Sequence, residues 1–128
     1  MPAITVSSIM SKNIYSLNEN RTVADAARVM KETKTGSILV VNPQGVIVGV
    51  VTERDLVYKV LAEGRDAQTR LKDIMTRDIK TVKPSSTLAE AAKIMIEMEV
   101  RHIPVVDEAG RPVGILSIRD LIESIWGD

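Results

Sequence analysis

The sequence predicts a mixed α/β (α+β) fold of two pseudo-twofold-related motifs, each β-α-β-β-α with a short N-terminal helical segment. Three observations carry this prediction. The chain matches itself without a gap at an offset of 65 residues. Helical and extended apolar periodicities alternate within each copy. The core has to be aliphatic, because the 128 residues include no Phe and only Tyr15, Tyr58 and Trp126 as aromatics. Self-similarity at a fixed period marks a duplicated supersecondary unit.

The offset places Ile9-Met10 on Ile74-Met75, Ile14 on Ile79 and Thr22-Val23-Ala24-Asp25-Ala26-Ala27 on Thr87-Leu88-Ala89-Glu90-Ala91-Ala92. It also places Met30 on Met95, Val40-Val41 on Val105-Val106, Val48-Gly49 on Val113-Gly114 and Arg54-Asp55-Leu56 on Arg119-Asp120-Leu121. The first motif spans 6–64, a polar linker 65–70 and the second motif 71–128. Neither copy buries much surface at this size, so the two are expected to pack as one module with two related clefts between them.

Each copy opens on a short extended piece, 14–17 or 79–82. Helices begin at Thr22 and Thr87, where the hydroxyl and the acid three residues on (Asp25, Glu90) fit a capping box. Val23, Ala26, Ala27 and Met30 form one helical stripe, repeated by Leu88, Ala91, Ala92 and Met95. Two apolar β-rich runs follow, 37–41 and 46–51, then 103–106 and 112–116, each pair joined by a glycine-containing turn. A last helix carries Leu56, Val57, Val60 and Leu61, or Leu121, Ile122, Ile125 and Trp126, as its apolar face. Gly64 fits a helix C-cap. Met10, Met30, Met75, Met95 and Met98 read as core, and Trp126 as packing or a dimer contact.

Composition excludes several functions. With 17 basic and 17 acidic residues there is no bulk attraction to nucleic acid or an anionic membrane. The absence of cysteine removes thiolate and disulfide chemistry, and a single histidine cannot build a multi-histidine metal site. No apolar run reaches membrane-spanning length, and the N-terminus lacks a signal peptide's features. A cytoplasmic protein is the expectation.

The strand-to-helix junctions read Gly49-Val50-Val51-Thr52-Glu53-Arg54-Asp55 and Gly114-Ile115-Leu116-Ser117-Ile118-Arg119-Asp120. With the run Val100 to Asp107 and the repeated element order, they resemble the CBS-domain pair, or Bateman module, over nearly the whole chain. The resemblance implies a regulatory sensor of AMP, ADP, ATP or S-adenosylmethionine, with no required cofactor, no resident metal and no catalytic residue. It implies Asp55 and Asp120 on the ribose hydroxyls. Thr52, Ser117, Arg101, His102, Arg54 and Arg119 would face phosphate. The backbone and packing around Ile14, Tyr15, Ile79, Lys80, Ser37, Ile38, Ile103 and Pro104 would face adenine. It also implies a homodimer acting on an unknown protein in trans or through assembly.

The residues support that division chemically. A carboxylate accepts from two vicinal hydroxyls, and a helix start with a nearby guanidinium suits phosphate. They also admit a plainer one, in which Thr52 with Asp55 and Ser117 with Asp120 only cap the last helix. His102 reads equally as a polar strand end, and Arg101, Arg54 and Arg119 as solvated surface. The copies differ most where Gly36-Ser37 stands opposite Arg101-His102, so phosphate is expected to prefer the side reached by Arg101. The competing function is a structural or assembly module with a vestigial site. An enzyme lacks a positioned base and nucleophile, and a nucleic-acid binder lacks a basic stripe and stacking aromatics.

Overall fold

A computed structural model describes residues 4–126. The elements are β1 (Ser16–Asn18), α1 (Val23–Thr33), β2 (Ser37–Val41), β3 (Ile47–Thr52), α2 (Glu53–Asp55), α3 (Leu88–Met98), β4 (His102–Val106), β5 (Pro112–Ser117) and α4 (Ile118–Trp126). Single 3₁₀ turns stand at Val6–Ser8 and Leu71–Asp73. Among the described residues no helix is long and apolar enough to cross a membrane.

The chain divides into two compact units that are cut differently from the sequence repeats. The central unit is Tyr15–Ile79; the terminal unit joins Met1–Ile14 to Lys80–Asp128. The head of each repeat therefore packs with the body of the other. The buried core of the central unit takes Leu71, Ile74 and Met75 together with Val23, Ala26, Met30, Ile38, Val40, Val51 and Val60. That of the terminal unit takes Val6 with Val82, Ala91, Met95, Ile103, Val105, Leu116 and Leu121, and Ile9 and Met10 pack against it. The segment 65–70 is tied into the central unit, Val23 N–H donating to the Thr69 carbonyl and Ala24 N–H to the Ala67 carbonyl.

A glycine in each unit makes the head fit. Val50 and Thr76 exchange both backbone bonds, as do Ser11 and Ile115. A Cβ on Gly49 would stand 2.6 Å from Met75 Sδ and 2.9 Å from the Thr76 carbonyl oxygen. On Gly114 it would stand 2.7 Å from Met10 Sδ and 3.0 Å from the Ser11 oxygen. Only a residue without a side chain lets two backbones approach this closely.

The central unit holds a three-stranded sheet in the order β1-β2-β3, parallel then antiparallel; the terminal unit holds the antiparallel pair β4-β5. The counterpart of β1 shrinks to one parallel bridge between Val82 and Val105. Two prolines explain the loss. Leu39 N–H donates to the Tyr15 carbonyl and Glu19 N–H to the Val41 carbonyl. The corresponding positions are Pro104 and Pro84, which have no N–H to give.

The caps differ between copies. At α1 the box is complete: Thr22 Oγ1 accepts from Asp25 N–H and Thr22 N–H donates to Asp25 Oδ2. At α3 only the first half forms, Thr87 Oγ1 accepting from Glu90 N–H while Glu90 stays exposed. Both helices end on a left-handed residue, Lys34 and Glu99. Gly64, at positive φ, follows the last turn of the first copy as a C-cap glycine would.

The last helices also diverge. After α2 the backbone widens into a π-helical turn over Leu56–Leu61, whereas α4 is regular throughout. The wider turn carries Val60 inward to 4% exposure, while its counterpart Ile125 is 80% exposed. The predicted apolar face of this helix is thus only partly core: Leu121 and Val60 are buried, and Val57, Leu61, Ile122 and Trp126 are exposed. Met30, Met75 and Met95 are buried as expected, and Met10 and Met98 are half-buried.

Two outcomes follow. Gly49→Ala and Gly114→Ala should each destabilise the fold by about 1–3 kcal/mol in chemical denaturation, the range for overpacking. An alanine costing nothing at either site would show that the head does not dock there. Around Asp25, the bond from Arg21 and the Thr22 N–H hold the carboxyl below its ordinary value. A depressed folded-state value contributes stability that is present above the unfolded carboxylate range, about pH 4, and is lost as pH falls below it. Asp25→Asn should therefore shallow the acid limb of a stability-against-pH curve, measured by denaturation across that range.

Candidate functional site

Each unit turns from strand to helix on one hydroxyl and one carboxylate. Thr52 ends β3 and Ser117 ends β5, both with the extended neighbours that their strand pairing requires. Thr52 Oγ1 accepts from Asp55 N–H at 3.2 Å and Thr52 N–H donates to Asp55 Oδ2 at 2.9 Å. Ser117 Oγ accepts from Asp120 N–H at 3.0 Å and Ser117 N–H donates to Asp120 Oδ2 at 2.9 Å. Both junctions are complete capping boxes, so the capping role of these four residues is real in both copies.

The register brings the preceding strand to the same place. Ser37 pairs with Thr52 in the central unit, and His102 with Ser117 in the terminal unit. One residue earlier, the Gly36 carbonyl accepts from Glu53 N–H at 3.0 Å and the Arg101 carbonyl from Ile118 N–H at 2.8 Å. Arg101, His102, Ser117 and Asp120 thus share one junction, and the small, neutral Gly36-Ser37 shares the other with Thr52 and Asp55. Arg101 and His102 are both exposed.

The remaining candidates are dispersed. Arg54 lies over the Tyr58 ring, its guanidinium carbon 4.8 Å from the centroid. Arg119 pairs with Glu123 along the exposed face of α4. Ile38 and Ile103 are wholly inside the two cores. Pro104 is buried in β4 and Ser37 is half-buried. Ile14-Tyr15 and Ile79-Lys80 are the two places where the chain passes from one unit to the other. The Tyr15 carbonyl is occupied by Leu39 N–H; Pro104 has no N–H to offer Lys80 in the same way.

Two residues that the sequence reading did not single out complete the picture. Lys59 Nζ stands 3.1 Å from Asp55 Oδ1 and donates to the Ile74 carbonyl at 3.0 Å. Both oxygens of Asp55 are therefore engaged, and the residue is 8% exposed. At the matched position in the second copy stands Ser124, whose hydroxyl turns back to the Leu121 carbonyl at 2.7 Å. Among the described residues no such cation meets the second oxygen of Asp120, which is half-buried. Glu53 is the other: its carboxylate lies over Gly36, where an added Cβ would meet Oε1 at 2.6 Å. Its counterpart is the neutral Ile118. Lys59 was legible as an i, i+4 partner of Asp55 absent from the other copy. Among the described residues no cluster of acids and histidine is arranged to hold a metal.

Comparison with known proteins agrees with this architecture. The CBS domain model matches residues 6–62 and 71–127. A CBS domain-containing protein of Bacillus subtilis, YhcV, is 33% identical over 117 residues, covering 91% of this chain and 82% of its own. The CBS domain pair of protein MJ0100, solved with 5′-methylthioadenosine and S-adenosyl-L-methionine, superposes with a TM-score of 0.85. It is 27% identical, with 98% of each chain covered. CBSX2, solved with AMP, gives a TM-score of 0.80 at 26% identity, covering 94% of this chain and 95% of that one. With both copies matched and the element order shared, the chain belongs to the CBS-domain family, as a tandem pair.

Proposed function

We propose that the chain is a cytoplasmic regulatory sensor of adenosine-containing small molecules, and not an enzyme. It takes AMP, ADP, ATP or S-adenosylmethionine and acts on a partner protein in trans or through its own assembly. The observation that carries this reading is the terminal unit's junction. Asp120 commits one oxygen to the Ser117 N–H, its other oxygen forms no ion pair among the described residues, and the backbone of Arg101 and His102 meets the same strand-to-helix junction. A carboxylate so placed can accept from the vicinal ribose hydroxyls, and an exposed arginine on the strand that meets the same junction supplies a guanidinium of the kind that suits a phosphate. The ligands of the two solved relatives share adenosine and not phosphate, which supports the ribose as the common handle. An adenosine ligand shifts the protein only by binding one of its states more tightly than the other.

The competing reading, a scaffold with a vestigial site, has one observation in its favour: Lys59 occupies the acceptor of the first copy. That observation does not extend to Asp120.

Self-association as a homodimer belongs to the same proposal. The duplicated last helices leave matched apolar side chains uncovered, Val57 with Ile122 and Leu61 with Trp126. Burying them against a second copy is the use that an internally repeated surface suits best, because a twofold contact is self-complementary.

A thermal-shift panel with AMP, ADP, ATP, S-adenosylmethionine and methylthioadenosine tests the sensor. At a free ligand concentration about 100 times Kd, linkage gives roughly 2.7 kcal/mol of stabilisation. Asp120→Ala should remove the shift, and Arg101→Ala should weaken AMP while sparing methylthioadenosine. No shift with any ligand would favour the scaffold. For assembly, light scattering should show a dimer that Ile122→Glu and Val57→Glu convert to monomer; a wild-type monomer at all concentrations would refute it.

A further inference from the structure

We propose that Lys59 closes the carboxylate of the first copy to ligands, so that the chain takes one adenosine ligand, on Asp120, and a second only when Lys59 is removed. This rests on the adenosine-sensing function above and assigns that function to one copy.

The geometry is specific to this pair of copies. A ribose diol needs an accepting carboxylate oxygen that solvent can reach. Asp55 Oδ2 is turned to the Thr52 N–H, and Oδ1 is covered by an ammonium at 3.1 Å. The ammonium is itself held by the Ile74 carbonyl, so it is fixed from two sides and not merely passing. A ligand would have to displace a charge-assisted contact to a carboxylate that is only 12% exposed. Asp120 presents the same cap without the cation, because Ser124 is too short and bonds its own helix. Independent features point the same way. Glu53 puts a negative charge over Gly36, where the second copy has Arg101 and the uncharged Ile118. The Tyr15 carbonyl is already paired, whereas Pro104 has no N–H for Lys80.

Calorimetric titration of the intact chain with AMP tests this. The wild type should bind one AMP per chain, and Asp120→Ala should lose it by about tenfold or more. Lys59→Ser, which copies the second repeat, should bind two per chain. The double variant Lys59→Ser/Asp120→Ala should keep one, now at Asp55. Ser124→Lys, which copies the first repeat, should weaken the wild-type site by a similar factor. Lys59→Met serves as a second opening variant, and each protein's melting transition shows that it is folded. Two equal sites in the wild type, or folded Lys59 variants that still bind a single AMP, would overturn the proposal and leave the sensor function standing. No binding of AMP or the other adenosine ligands to the wild type would overturn both.

Discussion

Each copy of the repeat changes from strand to helix on a single carboxylate, and the division of that carboxylate's two oxygens governs both architecture and site. One oxygen accepts the backbone N–H of the cap residue, 2.9 Å away in both copies. That bond, with its reciprocal from the hydroxyl, satisfies donors that a helix start leaves orphaned. It also fixes where β3 and β5 stop, and so which residue of the neighbouring strand lies alongside. The second oxygen has no structural duty that the cap imposes. In one copy it meets Lys59, in the other it does not, and the chemical difference between the copies begins there.

The exchange of heads sets the next constraint. Each β-hairpin needs the 3₁₀ turn and apolar residues that open the other repeat, Leu71, Ile74 and Met75 in one unit and Val6 in the other. A sequence repeat is therefore not a folding unit by itself; its own head is packed elsewhere. Small units bury too little apolar surface to stand alone, and the exchange binds the stability of each unit to residues remote in sequence. Gly49 and Gly114 are the points at which this arrangement leaves no freedom.

Much of this was legible in the sequence, and the rest was hidden for physical reasons. The duplication, the caps at Thr22, Thr52 and Ser117, and the C-cap at Gly64 are written in residue types whose local chemistry admits few alternatives. The loss of the β1 counterpart was written too, in Pro84 and Pro104, but only the strand register shows which N–H groups they remove. The head exchange was not legible, because apolar periodicity says that Ile74 and Met75 are buried and not against which sheet. The π turn was equally hidden. Val60 and Ile125 occupy the same place in the same pattern, and only the backbone path sends one inward and the other to the surface.

That π turn and Lys59 belong together. Such turns interrupt regular helices most often where a side chain has a duty that the regular spacing does not serve. Here the turn contains the residue that bridges Asp55 to the Ile74 carbonyl, and Ile74 lies in the head contributed by the second repeat. One ammonium thus ties cap, helix and head of the central unit into a single network. The terminal unit has a regular α4, and Ser124 bonds its own helix. The two copies have diverged in how they use one shared geometry: the first commits both oxygens of its carboxylate to holding structure, the second commits one. On the proposed sensing function, a ligand that engages the second copy would add a bond where none exists, and need not displace one on which the fold relies.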